Sequence, residues 1–371
     1  MKIAAVLFVL LLFVYMFVYV FNQSIQLLPT KGHIRVVFTT CYVILFLVLL
    51  SGIFLEQVLD KSLIKWLTFF GYSFAVLVIY MMLAYILSDL MTWLSRWFQL
   101  APNGILGIKK WMVGGFLGFA VIAMVIGNFK FNHPNINKLS LSFHKKMDKS
   151  LHLVAASDIH LGNSIDKKKL HEYVRLINKQ HPDVVVLVGD IIDRNFKAVL
   201  DQKMEEELSQ IKAPLGVYAV FGNHESYAGA LNDIEKMLNR AGIEVLRDEH
   251  KLIDQRFYLI GRNDATQTNR KSLSSLVAAL ETDIPKILLD HQPLHLDDAV
   301  ANGIDLQLSG HTHRGQIFPG NLIIKCIFEL GYGYMKKMQT HFYVSSGLGI
   351  WGPQYRIGST SEIVSIRILE N

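Results

Sequence analysis

The stretch "IDLQLSGHTHRGQ", residues 304–316, joins an apolar run to two histidines that lie one residue apart between glycines. The run 304–308 has the composition of a buried strand. His311 and His313, directly after it, are candidate metal ligands, although a pair of loop histidines can also arise by chance. The neighbouring glycines favour a ligand site, because a residue without a Cβ lets the backbone approach a ligand closely. The rest of the sequence has to decide between these two interpretations.

The second part of the chain alternates short apolar runs rich in β-branched residues with helical patterns. This alternation is typical of an α/β fold. Besides 304–308, strand-like runs lie at 151–156, 183–188, 216–221 and 285–289. Helix-like stretches lie near 166–180, 197–211, 228–240 and 270–281. Further strands are expected within 243–261, at 342–347 and 362–369, and in the stretch "KLSLSF" (138–143), which has the pattern of an edge strand.

Carboxylate, imidazole or amide side chains follow each of the five principal strands. In α/β sheets, ligands bind outside the carboxyl ends of the strands, so these side chains are expected to converge. Each of them alone also has an ordinary explanation, such as a helix N-cap for an aspartate or a turn for an asparagine. Chance explains the joint pattern poorly. It supplies seven potential metal ligands: Asp158, His160, Asp190, Asn223, His291, His311 and His313.

The chemistry of these seven side chains points to cations. An isolated ionised carboxylate is costly to bury, whereas several carboxylates and neutral imidazoles are stable together around a metal. Mixed nitrogen and oxygen donors favour divalent manganese, iron or zinc over calcium or magnesium. Seven donors exceed what one ion with open positions uses, so we expect two ions that share a bridging carboxylate. Two adjacent metals are the arrangement that supports in-line displacement at phosphorus.

Five motifs in this order resemble the calcineurin-like metallophosphoesterases. They are D-x-H (158–160), G-D-x-x-D (189–193), G-N-H-E (222–225), H-Q-P (291–293) and G-H-T-H (310–313). The resemblance covers about 150–371, and "SSGLGIWGP" (345–353) is similar to the bacterial YkuE-type branch. With its apolar first part, the whole chain is similar to transmembrane proteins that carry a metallophosphoesterase domain.

The resemblance implies a fold and a set of residue roles. The fold is a four-layer α-β-β-α sandwich. The ligands of one ion would be Asp158, His160, Asp190 and His313. The ligands of the other would be Asp190, Asn223, His291 and His311, so that Asp190 is the bridge. His224 would protonate the leaving oxygen or contact the phosphate, and Asp193 would orient it.

The sequence departs from the family pattern at two positions. Arg314 stands where this branch usually has glycine, and it would either add a phosphate contact or only fill space. Asp290 stands where a small residue is expected before His291, which puts the charge balance of the second ion site in question. Arg194 follows Asp193 as in the protein phosphatases, and it is a second candidate for a phosphate contact.

The first part of the chain accounts for much of the 51% hydrophobic composition. Residues 3–21 carry no charge, and a run of this length is enough for a helix to cross a bilayer. A signal peptide is the weaker interpretation, because the run is too long and no small-residue cleavage site follows. The predicted organisation is a transmembrane region at 1–128 and a linker at 129–150, followed by the metallophosphoesterase domain at 151–371. Within the first region, further spans are expected at 36–56, 66–88 and 111–127.

The net charge of the chain is +6, but five lysines or arginines lie near the span ends on each side, so the positive-inside rule does not choose an orientation. Lys145, Lys146 and Lys149 favour a cytoplasmic catalytic domain, in an integral protein of a bacterial cell membrane. The run 167–169 is either a solvated helix face or attracted to anionic lipids. Nucleic acid is not an expected partner, because no basic stripe with interleaved aromatic residues is present.

The resulting hypothesis is a membrane-anchored phosphoesterase that hydrolyses a phosphodiester, a pyrophosphate or a phosphomonoester. A lipid or lipid-linked substrate is among the candidates, because four spans are more anchor than a soluble substrate requires. The apolar segment 318–335 would then line the mouth of the cleft, or it would merely cover the edge of the sandwich. The alternative is a non-catalytic membrane protein that uses the fold to bind a ligand. A transporter is disfavoured, because the spans hold almost no ionisable residues.

Overall fold

The computed structural model describes residues 2–56, 58–98 and 105–370. The predicted domain limits at residues 1 and 371 lie outside the described residues. The chain forms two compact units, Met1–Ile126 with Gly352–Gln354 and Gly127–Trp351 with Tyr355–Asn371.

The first unit consists of long apolar helices, each of which is long and apolar enough to cross a membrane. They are α1 (Lys2–Leu27), α2 (Ile34–Phe54), α3 (Lys61–Trp97) and α4 (Ile105–Asn132). Helices α1, α3 and α4 are longer than the predicted spans, because residues at their ends continue the helix, whereas α2, with 21 residues, has the predicted length and begins two residues earlier. At the start of α3, for example, the Asp60 carboxylate accepts a hydrogen bond from the backbone N–H of Ser62 at 2.8 Å.

One polar cluster joins three of these helices. The carboxylate of Asp89 accepts hydrogen bonds from the hydroxyl of Tyr19 and the amide of Gln23, both at 2.9 Å. Its other oxygen lies 2.7 Å from Nζ of Lys109. Lys109 also donates to the Gln23 side chain at 3.0 Å. Asp89 and Lys109, two ionisable residues of the helical region, are therefore paired with each other.

The second unit contains two six-stranded mixed sheets. The first sheet has the strand order β1-β12-β2-β3-β4-β5, and the second has the order β10-β11-β9-β8-β7-β6. The strands are β1 (Asn135–Leu141), β2 (Leu151–Ala156), β3 (Val184–Val188), β4 (Val217–Val220), β5 (Ile243–Val245), β6 (Glu249–Ile253), β7 (Phe257–Gly261), β8 (Lys286–Leu289), β9 (Leu306–Ser309), β10 (Gly333–Lys337), β11 (Thr340–Val344) and β12 (Glu362–Ile368). The helices are α5 (Lys167–Asn178), α6 (Phe196–Asp201), α7 (Glu205–Leu208), α8 (Asn223–Ala228), α9 (Leu231–Arg240), α10 (Leu273–Val277), α11 (Leu296–Ala301) and α12 (Gly320–Ile327).

Successive side chains of a strand point to opposite faces of its sheet, and the buried side chains therefore form three separate apolar clusters. In β2, Leu153 belongs to a cluster that also contains Leu259 and Leu289 of the second sheet. The next residue, Val154, points to the opposite face and packs with residues of α5 and α9. A third cluster joins the second sheet to α10 and α11. The domain is therefore the predicted four-layer α-β-β-α sandwich.

The strands that precede the candidate ligands are parallel to each other. In the first sheet β2, β3 and β4 are parallel neighbours, and in the second sheet β7, β8 and β9 are. Their carboxyl ends therefore meet at one edge of each sheet. The predicted edge strand is confirmed, since β1 lies at the edge of the first sheet and pairs in parallel with β12.

The helices differ most from the predicted limits. The stretch 197–211 forms two short helices, α6 and α7, because Lys203 between them adopts a left-handed backbone with φ of 50°. Within 270–281, only Leu273–Val277 is α-helical. Gly229 has φ of 71° and ends α8, so the helix predicted at 228–240 begins at Leu231.

Candidate metal centre

The residues that follow the parallel strands come together between the two sheets. Six of the seven predicted ligands lie in three groups of histidines and aspartates. Within each group, the potential ligand atoms lie within 4.8 Å of one another. The seventh predicted ligand, Asn223, carries an amide and is not among these groups. His224 joins the middle group. The groups are Asp158 with His160 and His313, His160 with Asp190 and His224, and Asp190 with His291 and His311.

In each of the two central carboxylates, Asp158 and Asp190, one oxygen accepts a hydrogen bond from the backbone and the other is left for the site. Oδ1 of Asp158 accepts a hydrogen bond from the backbone N–H of His311, and Oδ1 of Asp190 accepts one from that of His224, both at 2.9 Å. Oδ2 of Asp190 lies 3.2 Å from Nε2 of His291 and 3.9 Å from Nε2 of His160. The backbone thus fixes the direction in which each carboxylate faces.

The histidines are oriented in the same way. Nδ1 of His291 donates to the carbonyl oxygen of Val188 at 2.9 Å, so Nε2, which faces Asp190, is the atom left to carry a second proton or to bind a metal. Nε2 of His313 lies 3.0 Å from Nε2 of His160 and 3.5 Å from Oδ1 of Asp158. In known metal sites, the groups that hydrogen-bond to a ligating histidine fix its tautomer and the direction of its ring.

The site contains buried polar atoms that the described part of the chain leaves without a hydrogen bond. Almost all buried polar groups in proteins have a partner, and each exception costs about 1–3 kcal/mol. A bound cation would satisfy the acceptors in this group, and the aspartate, asparagine and histidine donors suit a manganese, iron or zinc ion. The residues present therefore fit two divalent ions. The atoms are Oδ2 of Asp158, Nδ1 of His160, Oδ1 of Asn223 and Nε2 of His291.

The backbone at the site is strained. Five of the candidate ligands have a left-handed backbone conformation with φ between 48° and 69°, which residues other than glycine rarely adopt. Each such residue costs free energy that the surrounding structure must offset, and such residues gather at functional sites. The five are Asp158, His160, Asp190, His311 and His313.

Glycines let the ligand loops approach one another. A Cβ on Gly222 would collide with the carboxylate of Asp190, and a Cβ on Gly310 would collide with that of Asp158. A Cβ on Gly189 would overlap the imidazole of His291. The glycines of the motifs are therefore required by the close packing of the ligands.

His224 and Asp193 form a pair at the open side of the site. Nδ1 of His224 donates to Oδ1 of Asp193 at 2.7 Å, and the same oxygen lies 3.8 Å from Nδ1 of His160. Burial raises the pKa of Asp193, but the nearby imidazoles of His160 and His224 outweigh burial and hold that pKa well below its usual range. The ring of His224 is flanked by Tyr227 at 5.7 Å and Trp351 at 6.5 Å.

The charges of the site draw a cation toward Asp190. Burial raises the pKa of Asp190, but the imidazoles of His291, His160 and His224 outweigh burial and keep it far below its usual range. Burial lowers the pKa of His291, yet the Asp190 carboxylate raises it well above that of a free histidine. Burial and His160 lower the pKa of His313 well below its usual value, so His313 is a neutral imidazole. A metal ion beside Asp190 would take the place of the proton on His291.

Glu225 organises the site although sequence reasoning gave it no role. Its fully buried carboxylate accepts hydrogen bonds from the backbone N–H groups of Gly222 at 2.7 Å, Ile192 at 2.8 Å and Asp190 at 3.1 Å. Burial, with the carboxylate of Asp190, raises the pKa of Glu225 to about 7. The G-N-H-E motif contains a signal for this role, because a glutamate three residues after an N-cap position often bonds back to the backbone.

Arg356 is the second residue that sequence reasoning missed. It is fully buried, and its guanidinium donates to the backbone carbonyls of Ser346 at 2.6 Å, Gly347 at 3.1 Å and His313 at 3.2 Å. Burial lowers its pKa to about 10, which leaves it charged at neutral pH. The closing segment "SSGLGIWGP" is thereby tied to the ligand loop. No local sequence pattern distinguishes this arginine from a surface one.

Asp290 does not disturb the charge of the ion sites. Its carboxylate lies 3.1 Å from Arg262 and 2.5 Å from Arg270, so two arginines balance it. Burial raises the pKa of Asp290, and the arginines oppose that rise. The question that the sequence raised about the second ion site is thus answered by two residues remote in sequence.

The two candidate phosphate-binding arginines lie over aromatic rings. The guanidinium of Arg314 stacks 4.3 Å from the ring centre of Tyr332, and that of Arg194 lies 5.9 Å from that of Tyr227. Arg194 is exposed and Arg314 is half-buried. Their role as phosphate contacts stays a prediction.

Two facing sheets with aspartates and histidines gathered at the ends of their parallel strands define a candidate metal-binding α/β domain. The sequence pattern of the calcineurin-like phosphoesterases matches residues 151–315. A metallophosphoesterase of Aquifex aeolicus is 34% identical over 58% of this chain and 84% of its own length. The chain therefore belongs to the calcineurin-like metallophosphoesterases. Its assignment to the YkuE-type branch stays a prediction.

Two further relatives are similar to this chain, and the first of them matches nearly its whole length, the helical region included. A metallophosphoesterase of Campylobacter jejuni is 28% identical over 97% of this chain and 96% of its own length. A bovine transmembrane protein with a metallophosphoesterase domain is 34% identical over 58% of this chain. The chain spans 52% of the length of that bovine protein.

Proposed function

We propose that the protein is a membrane-anchored phosphoesterase that hydrolyses a phosphodiester, pyrophosphate or phosphomonoester with two divalent metal ions. The observation that carries the proposal is a set of buried atoms that could bind a metal and have no hydrogen-bond partner among the described residues. They lie in a metallophosphoesterase domain, beside the pair of His224 and Asp193. A structural site would have closed these hydrogen bonds within the protein.

The proposed ligands divide into two sets that share one carboxylate. Asp158, His160, Asp190 and His313 would hold one manganese, iron or zinc ion, and Asp190, Asn223, His291 and His311 would hold the other. When bound, such a pair of ions supplies a nucleophile from water at neutral pH and neutralises the charge of the phosphate oxygens. The contacts within the three groups of ligands support this division.

His224 is proposed as the general acid. Its Nδ1 is engaged with Asp193 at 2.7 Å, which leaves Nε2 as the atom that can carry a proton to the leaving oxygen. Asp193 stabilises the protonated imidazole and fixes its direction. Arg194 and Arg314 are proposed to contact the phosphate after leaving their positions over Tyr227 and Tyr332.

The proposed substrate is a lipid or a lipid-linked phosphate. The four apolar helices support this choice, because a soluble substrate does not require such an anchor. A second support is that Tyr227 and Trp351, which flank His224, are 57% and 53% exposed. They offer apolar surface beside the proposed site of chemistry. The proposed location is a bacterial cell membrane, with the catalytic domain on the cytoplasmic side.

A substrate panel on the full-length protein tests the proposal. The protein is purified, reconstituted with Mn²⁺, and assayed on soluble nitrophenyl mono- and diesters and on long-chain phosphodiesters in mixed micelles. Two ions per chain by elemental analysis and turnover that Asp190→Asn abolishes are expected. Two bound ions without turnover of any substrate would favour the non-catalytic alternative, and fewer than two ions after reconstitution would contradict the two-metal site. Equal catalytic efficiency on short and long chains would contradict the lipid substrate.

A further inference from the structure

Helix α12, which follows the ligands His311 and His313, presents an apolar stripe to solvent. Leu322, Ile323 and Ile327 are 50%, 58% and 65% exposed, and Cys326 is exposed as well. Their spacing places all four on one face of the helix.

The domain does not account for this stripe. Ile324 and Phe328, on the opposite face, are half-buried, and α12 buries none of its residues fully. A surface helix ordinarily turns its apolar face inward and its polar face to water. In α12 the outward face is the more apolar one, so a partner outside the domain is needed to cover it.

Backbone hydrogen bonds connect α12 to the end of a candidate membrane span. The N–H of Phe318, just before α12, donates to the carbonyl of Ile357 at 2.7 Å. The N–H of Arg356 donates to the carbonyl of Gly127 at 2.9 Å. Gly127 belongs to the stretch Lys109–Asn132 of α4 that is long and apolar enough to cross a membrane. The start of α12 is therefore only two hydrogen-bonded steps from that span.

The surroundings of the stripe suit a lipid headgroup layer. Residues 318–328 contain no acidic side chain, and Lys325 flanks the stripe. Trp351 is 53% exposed, and it is tied to Gln316 by hydrogen bonds of 2.9 and 3.0 Å. Tryptophan is enriched at the interface between membrane and water, and short amphipathic helices lie in that layer with their apolar face inserted.

We propose that the stripe Leu322, Ile323, Cys326 and Ile327 inserts into the headgroup layer of the bilayer that α4 enters. The ring of Phe328 at the end of α12 lies 6.2 Å from that of His311, so the metal centre would open next to the membrane surface. Resting on the proposed function, this insertion gives the substrate class a route: a phosphate group carried by a lipid reaches the site without leaving the bilayer.

The natural cysteine of the stripe provides a direct test. The full-length Cys41→Ser protein is placed in lipid nanodiscs at one copy per disc, and Cys326 is labelled with an environment-sensitive thiol fluorophore. Lipids with brominated acyl chains should quench the fluorophore strongly, and iodide in the buffer should quench it weakly. The matched control carries Cys41→Ser, Cys326→Ser and Lys236→Cys, with the label on α9, where Lys236 is 70% exposed. The control should show the reverse pattern.

Several results would overturn the insertion. They are a Cys326 label quenched like the label at position 236, a label shielded from both quenchers in single-copy discs, and shielding that requires two copies per disc. The last two would identify another part of the chain or a second copy as the cover. None of these readouts depends on catalysis, so a failure of the proposed enzymatic function leaves the test intact.

An activity measurement then distinguishes an effect on membrane insertion from an effect on the catalytic step. Ile323→Asp should lower turnover of a long-chain phosphodiester in nanodiscs several-fold and leave hydrolysis of a soluble nitrophenyl ester unchanged. Leu200→Asp, a matched change at a 45% exposed leucine of α6, should alter neither activity. Equal losses of both activities in Ile323→Asp, or no loss of either, would contradict insertion of the stripe.

Discussion

The helical region and the metallophosphoesterase domain both contain clusters of charged side chains, but they satisfy them differently. In the helical region, Asp89 is hydrogen-bonded to donors from the same chain, namely Tyr19, Gln23 and Lys109. In the candidate metal centre, Oδ2 of Asp158 has no hydrogen-bond partner among the described residues. A polar cluster that is closed within the chain stabilises structure, whereas a cluster that is left open indicates a ligand.

The same contrast occurs within the domain. Asp190 follows β3, a central strand of the first sheet, and Asp290 follows β8, a central strand of the second sheet. Both aspartates are almost fully buried. Two arginines balance Asp290, while histidines of the candidate centre surround Asp190. Burial in itself therefore says little about function, and the identity of the neighbours decides.

Removal of the shared carboxylate should have the largest effect. Asp190→Asn takes away the charge that both ions would share, so metal content should fall to one ion or none. Turnover should fall by about 10³-fold or more, since loss of a single group that stabilises transition-state charge already costs about 10²–10³-fold. Elemental analysis and kinetics on full-length protein measure both quantities.

Asp290→Asn is the control for this comparison. It should keep two ions per chain but lower the free energy of unfolding by about 3 kcal/mol, the lower end for a buried pair, because it leaves two half-buried arginines unbalanced. Metal loss in Asp290→Asn that matches the loss in Asp190→Asn would break the distinction between a carboxylate of the candidate metal centre and one balanced by arginines.

Replacement of the proposed general acid should have the next largest effect. His224→Asn should lower turnover by about 10²–10⁴-fold with metal content unchanged. The loss should shrink for a nitrophenyl ester, because a good leaving group needs less protonation. His171→Asn, at an exposed histidine paired with Glu207, serves as the control and should change neither quantity. Equal losses for good and poor leaving groups would indicate that His224 binds the phosphate instead.

Glu225→Gln should act through the backbone of the site. The amide group replaces one of the two oxygens that accept from Gly222, Ile192 and Asp190, so a buried N–H group loses its partner. Metal affinity should fall by about 10–100-fold, as for other residues that orient ligands. A metal titration measures this, with Glu244→Gln at the exposed Lys251 pair as the control. Unchanged affinity would show that the ligand loops hold their positions without Glu225.

The smallest effect is expected in the helical region. Asp89→Asn keeps the size of the side chain but removes the charge beside Lys109, which should lower stability by about 1 kcal/mol. Thermal unfolding in detergent detects the change, and metal content and turnover should stay at their original values. A loss of activity with intact metal content would mean that this cluster serves function as well as structure.

Much of the domain could be predicted because its signals are local. Apolar runs followed by aspartate or histidine mark the parallel strands and their polar ends, and the order of the motifs predicts which ends meet. The roles of Glu225 and Arg356 could not be predicted, because they depend on backbone groups that only the folded loops bring together. The partners of Asp290 could not be predicted either, since Arg262 and Arg270 lie in an irregular segment without a recognisable pattern.

The apolar segment 318–335 illustrates another limit. Its composition fits a segment that covers the sandwich edge equally well as one that lines the mouth of the cleft, because hydrophobicity alone does not say what an apolar segment packs against. The structure places α12 with its apolar stripe exposed. The break at Lys203 is a similar case, since a lysine carries no signal for a left-handed backbone.

The pairing of β1 with β12 has a consequence for how the protein is made. Asn135 pairs with Glu362, so β1, which directly follows α4, has its partner far later in the sequence. Such distant contacts form slowly. During synthesis β1 therefore remains an open edge until all the other strands of both sheets have been made. Loss of β12 would leave both β1 and β2 without their shared neighbour.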